Sequence, residues 1–224
     1  MKKILAIGGA VIKTARELLL EAIERDMVEM LIHNGGSIFH DFQRSIDTEL
    51  EGHSYPLEKL VFESYECNTR ATDILWAWLW SSIKLPNENI NHMIPEGSVT
   101  RLCYEKNIPV LLFTTPGADF WHLFSGDDVE WGLLSDKAWL SMHRLIARFR
   151  EENFHFMNVG SATMHPEIFI KAIAVAKPNS NNFQADVVDF KDMYRPRTRV
   201  ARFGTYYTIS HIEFFKALLK GDIS

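Results

Sequence analysis

The chain has 224 residues, 46% of them hydrophobic and 24% charged, and a net charge of −5 at neutral pH. This composition is typical of a globular protein with one complete core, so we predict a single α/β domain over residues 1–224. The acidic balance disfavours nucleic acid as a partner, since phosphate binding requires a basic face. We expect no signal peptide and no membrane span, because the amino-terminal apolar run is short and no stretch approaches about 20 apolar residues.

The two cysteines, Cys67 and Cys103, lie far apart and match no metal-binding spacing. We therefore expect both to be reduced thiols in a cytoplasmic protein.

Apolar runs bounded by turns predict strands that alternate with helices along the chain. The predicted strands are residues 4–7, 27–32, 108–113, 154–159 and 185–190. The predicted helices begin at Thr14, Ser37, Thr69 or Thr72, Ser98, Ser135 or Asp136, His165 and Thr208, and residues 57–66 are a candidate short helix. This alternation predicts a mostly parallel, doubly wound α/β sheet of Rossmann-like type, covered on both faces.

Gly35 and Gly36 fall where the predicted strand 27–32 leads into a helix. Ligands of doubly wound sheets bind at such carboxyl ends, and the glycines would let the backbone approach a phosphate at a helix start. The alternative is a tight turn without a ligand. The segment lacks the spacing of the GxGxxG fingerprint, so the residues alone do not identify a dinucleotide site.

His33, His40 and Asp41 are candidates for a polar cluster beside that turn. Their spacing matches no known zinc pattern, and we predict no metal site. The alternative is a surface position for His33 and a role for Asp41 in the helix dipole.

Two further polar residues lie at predicted junctions. Asp119 follows Pro116 and Gly117, where it would bind an amine or cap a helix, and His165 precedes Pro166 at a helix start. For His165, capping is the alternative to a functional role.

Arg195, Arg197 and Arg199 alternate at period two, so they would share one face of an extended segment. That face would bind phosphate or carboxylate groups, or else form a salt-bridged strand. The apolar helix with Trp76, Trp78 and Trp80 is predicted to lie in the core or in a subunit interface.

Four segments in the same order resemble deoxyhypusine synthase and its relatives. They are DMVEMLIHNGGSIFHDF (26–42), SVTRLCYEKNIPVLLFTTPGADF (98–120), FMNVGSATMHPEIFIKA (156–172) and, more weakly, QADVVDF (184–190). In that family NAD takes a hydride from spermidine, and an active-site lysine carries the aminobutyl group as an imine.

The resemblance implies a deoxyhypusine-synthase-like fold, NAD as cofactor and a homotetramer. By position, the NAD-side candidates are Gly8, Gly9, Gly35, Gly36, His40 and Asp41. The resemblance also implies that Asp119 holds a substrate amine and that His165 lies in the substrate pocket.

The chain departs from the family where the catalytic lysine is expected. The segment KDMYRPRTRVARFG (191–204) contains no Trp-Gly-Lys, and four arginines stand where the family has carboxylates for a polyamine. Lys191 is the nearest lysine by sequence, and the resemblance does not identify a catalytic one.

Three hypotheses for the function follow. The first is an NAD-binding protein of this superfamily, as an aminoalkyl transferase acting on an amine, with His165 as base and Asp119 orienting the amine. The second is a non-catalytic nucleotide-binding or regulatory oligomer. The third is an enzyme acting on an anionic small molecule, with Arg195 and Arg197 binding it.

Overall fold

In the computed structural model, which describes residues 2–47, 65–84, 91–116, 119–126 and 130–223, the strands form one six-stranded sheet. All neighbouring pairs are parallel. The strands are β1 (Lys3–Ile7), β2 (Val28–Asn34), β3 (Val110–Phe113), β4 (Phe154–Val159), β5 (Phe183–Asp189) and β6 (Tyr206–Thr208). Their order is β3-β2-β1-β4-β5-β6, the Rossmann order, which confirms the predicted fold class.

Helices cover both faces of the sheet. They are α1 (Gly9–Glu24), α2 (Gly35–Ile46), α3 (Tyr65–Lys84), α4 (Val99–Glu105), α5 (Gly132–Arg150), α6 (Met164–Ala176), α7 (Tyr194–Arg199) and α8 (His211–Lys220). One hydrophobic cluster joins the sheet to α1, α2, α3, α4 and α8, and a second joins the opposite face to α5 and α6.

Strand β1 lies at the centre of the sheet, between β2 and β4. Its residues Ile4, Leu5, Ala6 and Ile7 are fully buried, as expected for a central parallel strand with both faces covered. Strands β2 and β3 lie on one side of β1, and β4, β5 and β6 lie on the other. A crevice therefore opens at the carboxyl ends of β1 and β4.

The starts of the first two helices differ from their predictions. Helix α1 begins at Gly9, and Thr14 lies inside it, next to Ala15, whose backbone (φ −137°) interrupts the helical geometry. Helix α2 begins at Gly35, capped by Asn34, and Ser37 is the third helical residue of a capping box. The predicted helical segment 57–66 lies mostly outside the described residues.

The carboxyl-terminal part contains two features that differ from prediction. Strand β6 was not predicted, because its three residues are only partly buried at the sheet edge. The extended arginine segment was predicted wrongly, since Arg195, Arg197 and Arg199 lie in helix α7. Arg195 and Arg199 are four residues apart, so the helix brings both to Glu167 of α6, at 3.4 and 2.6 Å.

The three tryptophans of helix α3 lie in different environments. Trp78 is fully buried in the core, whereas Trp80 is 44% exposed. Trp76 lies edge-on to Trp121 and Trp131. The core placement is thus confirmed for Trp78, and the subunit interface stays a prediction.

Candidate functional site

Helices α1 and α2 both begin at the carboxyl edge of the sheet, directly after β1 and β2. Between them lies a cavity of about 320 Å³, which we call the edge pocket. Its lining includes Gly9, Lys13, Gly36, His40, Asp119 and Met164. Because both helices turn their amino-terminal N–H groups toward this edge, the pocket favours a negatively charged group.

The glycines at this edge have two different roles. A side chain at Gly8 would overlap the carbonyl oxygen of Gly160, and one at Gly35 would overlap the carboxylate of Asp119. At Gly36, by contrast, a Cβ would meet only the side-chain oxygen of Asn34, at 3.6 Å. Gly8 is therefore required by backbone packing and Gly35 by the present position of the Asp119 side chain, whereas Gly36 leaves the pocket open.

Lys13 is the pocket residue that sequence reasoning missed. It stands four residues after Gly9 on α1, so both occupy one helix face, and this spacing was the available signal. Burial, followed by the charge of Arg44, lowers the pKa of Lys13 to about 8. The ammonium is thus a partly desolvated positive charge beside the two helix starts.

Asp119 brings a carboxyl group into the same pocket. It occupies the cap position of a short 3₁₀ turn (Phe120–Phe124), but its side chain makes no capping bond and instead accepts from the N–H of Thr115 at 3.2 Å. Burial raises the pKa of Asp119 to about 6, against the hydrogen bond from Thr115. The capping alternative therefore fails for the side chain, which stays available to a hydroxyl or amine.

This raised pKa predicts a pH-dependent stability. The folded state holds the Asp119 proton up to about pH 6 and the unfolded chain loses it near pH 4, so this group's contribution falls as pH rises between these values. We expect Asp119→Asn to gain stability relative to the parent protein across that interval, by up to about 3 kcal/mol. Urea unfolding from pH 4 to 7 measures it. The exposed Asp136→Asn serves as control, and parallel curves for Asp119→Asn and the parent protein would contradict the prediction.

Asp41 has a structural position that corrects the helix-dipole interpretation. Its fully buried carboxylate accepts from the N–H groups of Val99 and Thr100, both at 2.8 Å, and from the Thr100 hydroxyl at 2.7 Å. Burial raises the pKa of Asp41, against these hydrogen bonds. Asp41 thus holds the start of α4 rather than that of α2, and it does not line the edge pocket.

The two nearby histidines, His33 and His40, lie in different surroundings. His33 is fully buried, not on the surface, and its ring lies 2.9 Å from the Ser37 hydroxyl and 3.3 Å from that of Thr100. Burial, followed by the charge of His165, lowers the pKa of His33 to about 3, so its ring is neutral at pH 7. His40 lines the edge pocket and its Nδ1 lies 3.1 Å from the Gln43 side chain.

His165 lies in the first turn of α6, as predicted, and is 1% exposed. Among the described residues, neither of its ring nitrogens has a side-chain hydrogen-bond partner, and the side-chain oxygen of Asn158 is likewise unpaired. The backbone of His33 is a polar contact of the His165 ring. Ser161 links the two residues, since its carbonyl accepts from Asn158 at 2.9 Å and its hydroxyl from the His165 N–H at 3.4 Å. Burial lowers the pKa of His165 to about 4, which leaves it neutral beside the crevice at β4.

The arginine candidates Arg195 and Arg197 are each paired with a carboxylate. Arg195 lies 3.4 Å from Glu167, and Arg197 lies 2.7 Å from Asp192 and stacks on Tyr206. A ligand at this surface would therefore compete with existing ion pairs.

Among the described residues, no group of three or more histidine, cysteine or acidic side chains has the geometry for a metal ion. None of the helices in the same ranges is long and apolar enough to cross a bilayer.

The fold has solved relatives at low sequence identity. AgrE in a ternary complex with ornithine and NAD⁺ matches 98% of this chain and 30% of its own, with 14% identity and a TM-score of 0.63. ArgZ, a cyanobacterial arginine dihydrolase of the ornithine–ammonia cycle, matches 98% of this chain and 29% of its own at 14% identity and 0.61. A conserved LOR/SDH protein from Methanococcus maripaludis S2 matches 98% of this chain and 61% of its own at 13% identity and 0.65.

These similarities concern the fold. The chain spans about a third of the length of AgrE and ArgZ and about three fifths of the LOR/SDH protein. No protein-family model matches the chain, and no curated protein matches it either.

Proposed function

We propose that the chain binds NAD at the carboxyl edge of its sheet and acts there on a small molecule that carries an amine. The observation that carries this proposal is the convergence of the α1 and α2 starts and Lys13 on the edge pocket. Helix starts and a lysine recognise phosphate, and they lie beside the crevice where Rossmann folds bind dinucleotides. AgrE, which has this fold, was solved with NAD⁺ and ornithine.

The residues on one side of the edge pocket fit a bound pyrophosphate. The backbone at Gly9, the open position at Gly36 and the ammonium of Lys13 would hold it, with His40 at the pocket wall. Asp41 would contribute indirectly, through α4. When bound, NAD would supply a hydride acceptor for oxidation of the amine-bearing carbon.

The protein's own groups divide the remaining tasks. Asp119 would orient the amine through an ion pair and accept its proton, since burial brings the pKa of Asp119 to about 6. His165, which lies in the first turn of α6 beside Met164 of the pocket lining, would act as a neutral base at the crevice. The transferase form of the proposal also needs a lysine nucleophile, whereas Lys13, the lysine of the pocket lining, is assigned here to the pyrophosphate.

Thermal unfolding in the presence of NAD tests the cofactor site. At about 100 times its dissociation constant, NAD should stabilise the folded protein by roughly 2.7 kcal/mol. In Gly36→Val this stabilisation should vanish, because the new side chain projects into space that is open beyond Asn34. The unfolding temperature of ligand-free Gly36→Val reports whether its fold is intact.

A matched conservative variant sharpens this test. Gly36→Ala adds one methyl group at the same position and should retain most of the NAD stabilisation. If millimolar NAD stabilises neither the parent protein nor Gly36→Ala, the dinucleotide proposal is wrong. Equal stabilisation of the parent protein and Gly36→Val would show that NAD binds elsewhere.

Turnover measurements identify the amine substrate and distinguish an enzyme from the second candidate function, a non-catalytic binding protein. Spermidine and ornithine should each be tested for added stabilisation with NAD and for NADH formation by absorbance. NAD binding without NADH formation from either amine would favour a non-catalytic nucleotide-binding oligomer, which the missing Trp-Gly-Lys segment supports. The tetrameric state is part of the same proposal, and light scattering tests it.

A further inference from the structure

A second group of buried polar side chains lies toward the amino edge of the sheet, away from the edge pocket. Lys3, His155 and Asp186 stand on the adjacent strands β1, β4 and β5 and are 4%, 1% and 0% exposed. Lys3 is in direct register with His155. The strand alternation places all three on the face covered by α1 and α8.

Hydrogen bonds join the three side chains into a chain. The ammonium of Lys3 lies 2.9 Å from Nδ1 of His155, and Nε2 of His155 lies 2.8 Å from the Asp186 carboxylate. Asp186 also accepts from the Thr205 N–H at 2.7 Å and from the Gln184 amide at 2.8 Å. Burial opposes ionisation of Asp186, but these bonds outweigh it and lower the pKa of Asp186.

The acceptor role of Asp186 fixes which ring nitrogen of His155 carries a proton. Because an ionised carboxylate only accepts, Nε2 of His155 carries a proton, and Nδ1 is left to accept from Lys3. A shift of one proton from Lys3 to His155 gives a neutral amine beside an imidazolium paired with Asp186. The net charge of the group is the same in both forms, so the shift buries no additional charge.

A cavity of about 320 Å³ adjoins this group at Lys3. Lys3 lines it together with Lys2, Asp26, Met27, Leu218 and Ile223. The wall therefore combines three apolar side chains and two amines with one carboxylate, which lies 3.7 Å from the ammonium of Lys106. Burial lowers the pKa of Lys3, against the charge of Asp186.

We propose that Lys3 is a nucleophilic amine that condenses with a small carbonyl compound bearing a carboxylate. His155 is its base, and Asp186 is the positioning residue that orients His155. A nucleophile within hydrogen-bond reach of a base, itself held by a third group, is the arrangement that activates side chains for covalent catalysis. Lys2, at the cavity wall, supplies the positive charge for the carboxylate.

The step is a condensation without redox change. His155 takes a proton from the Lys3 ammonium, and the free amine adds to the carbonyl carbon to give a carbinolamine. The imidazolium of His155 then returns its proton to the hydroxyl group, which leaves as water. The products are one water molecule and one protonated imine, which keeps the positive charge of the Lys3 ammonium, and His155 is neutral again.

Reductive trapping with glyoxylate tests the proposal on the intact chain. Cyanoborohydride converts an imine into a stable secondary amine, and peptide mapping by mass spectrometry locates it. At pH 7 we expect Lys3 to be modified roughly tenfold faster than the exposed Lys2, as general-base assistance gives at least such factors. If folded protein shows Lys3 modified no faster than Lys2, the proposal is overturned, and this measurement needs no variant.

Variants distinguish activation of the Lys3 amine from simple access of the reagent to it. In His155→Gln the rate of Lys3 modification should fall about tenfold at pH 7. Much of that rate should return at pH 9, where free amines are more abundant. Lys2→Arg keeps the charge and should preserve the preference of Lys3 for glyoxylate over propionaldehyde, whereas Lys2→Met should lose it. Folding of each variant is checked by circular dichroism. An unchanged pH profile in folded His155→Gln would refute the role of His155.

Discussion

Replacing Gly8 by alanine should cost about 3 kcal/mol or more of unfolding free energy. A Cβ at Gly8 would overlap the carbonyl oxygen of Gly160, where β1 and β4 end side by side. Neither backbone has room to retreat, because the Gly8 N–H donates to Val159 at 2.9 Å and the Gly160 N–H donates to Val188 at 2.9 Å. The cost is steric, since the φ of Gly8 is −84°, a value open to any residue.

Gly36→Ala is the matched control for this substitution. Both changes add one methyl group and reduce the freedom of the unfolded chain similarly, but the methyl group at Gly36 has open space. We expect its unfolding free energy to stay within about 1 kcal/mol of the parent protein. Urea unfolding of both variants measures the difference. A loss below about 1 kcal/mol in Gly8→Ala would mean that the two strand ends separate more easily than their contacts indicate.

The second large effect is expected at Asp41. In Asp41→Ala, the N–H groups of Val99 and Thr100 and the Thr100 hydroxyl all lose their buried acceptor. Each unpaired buried donor costs about 1–3 kcal/mol, so a total loss of at least about 3 kcal/mol is expected. The charge of Arg16, 4.0 Å from the carboxylate, would also lose one of its two acidic neighbours and keep Glu17.

A surface aspartate provides the comparison for Asp41. Asp26 lies 3.7 Å from Lys106, and its side chain is 66% exposed, so Asp26→Asn, which suits the positive φ of 56° at this position, should change stability by less than about 1 kcal/mol. Chemical unfolding at pH 7 measures both variants. A stable Asp41→Ala with lost NAD binding would instead favour the direct cofactor contact that the family resemblance implies.

The core strands were predictable because each is a buried apolar run. Strands β1 to β5 all fall within or beside the predicted segments, and their central positions are almost fully buried. Strand β6 lacks this signal, since Tyr206 and Tyr207 are only partly covered. Alternating polarity failed at the arginines, because charge spacing of two residues does not distinguish a strand from a short helix whose i and i+4 residues share a carboxylate.

The site was predictable as a location but not as a set of contacts. Gly36 and Asp119 follow predicted strands, and the shared strand direction brings them to one edge. Lys13 was missed because the helix was expected to start at Thr14, which put Lys13 outside it. His33 was misplaced because its burial depends on Thr100, which is 67 residues away along the chain. Such partners are set by tertiary packing, on which local patterns carry no information.

The central position of β1 has a consequence for the order of assembly during synthesis. Lys3 to Ile7 form one ladder with β2 and the other with residues 155–159 of β4, about 150 positions later. At ribosomal rates of about 5–20 residues per second, roughly 8 to 30 seconds separate the synthesis of β1 from that of β4. During that interval one hydrogen-bonding edge of β1, a strand that is fully buried in the folded protein, has no partner strand, and we expect nascent chains to depend on chaperones until β4 emerges.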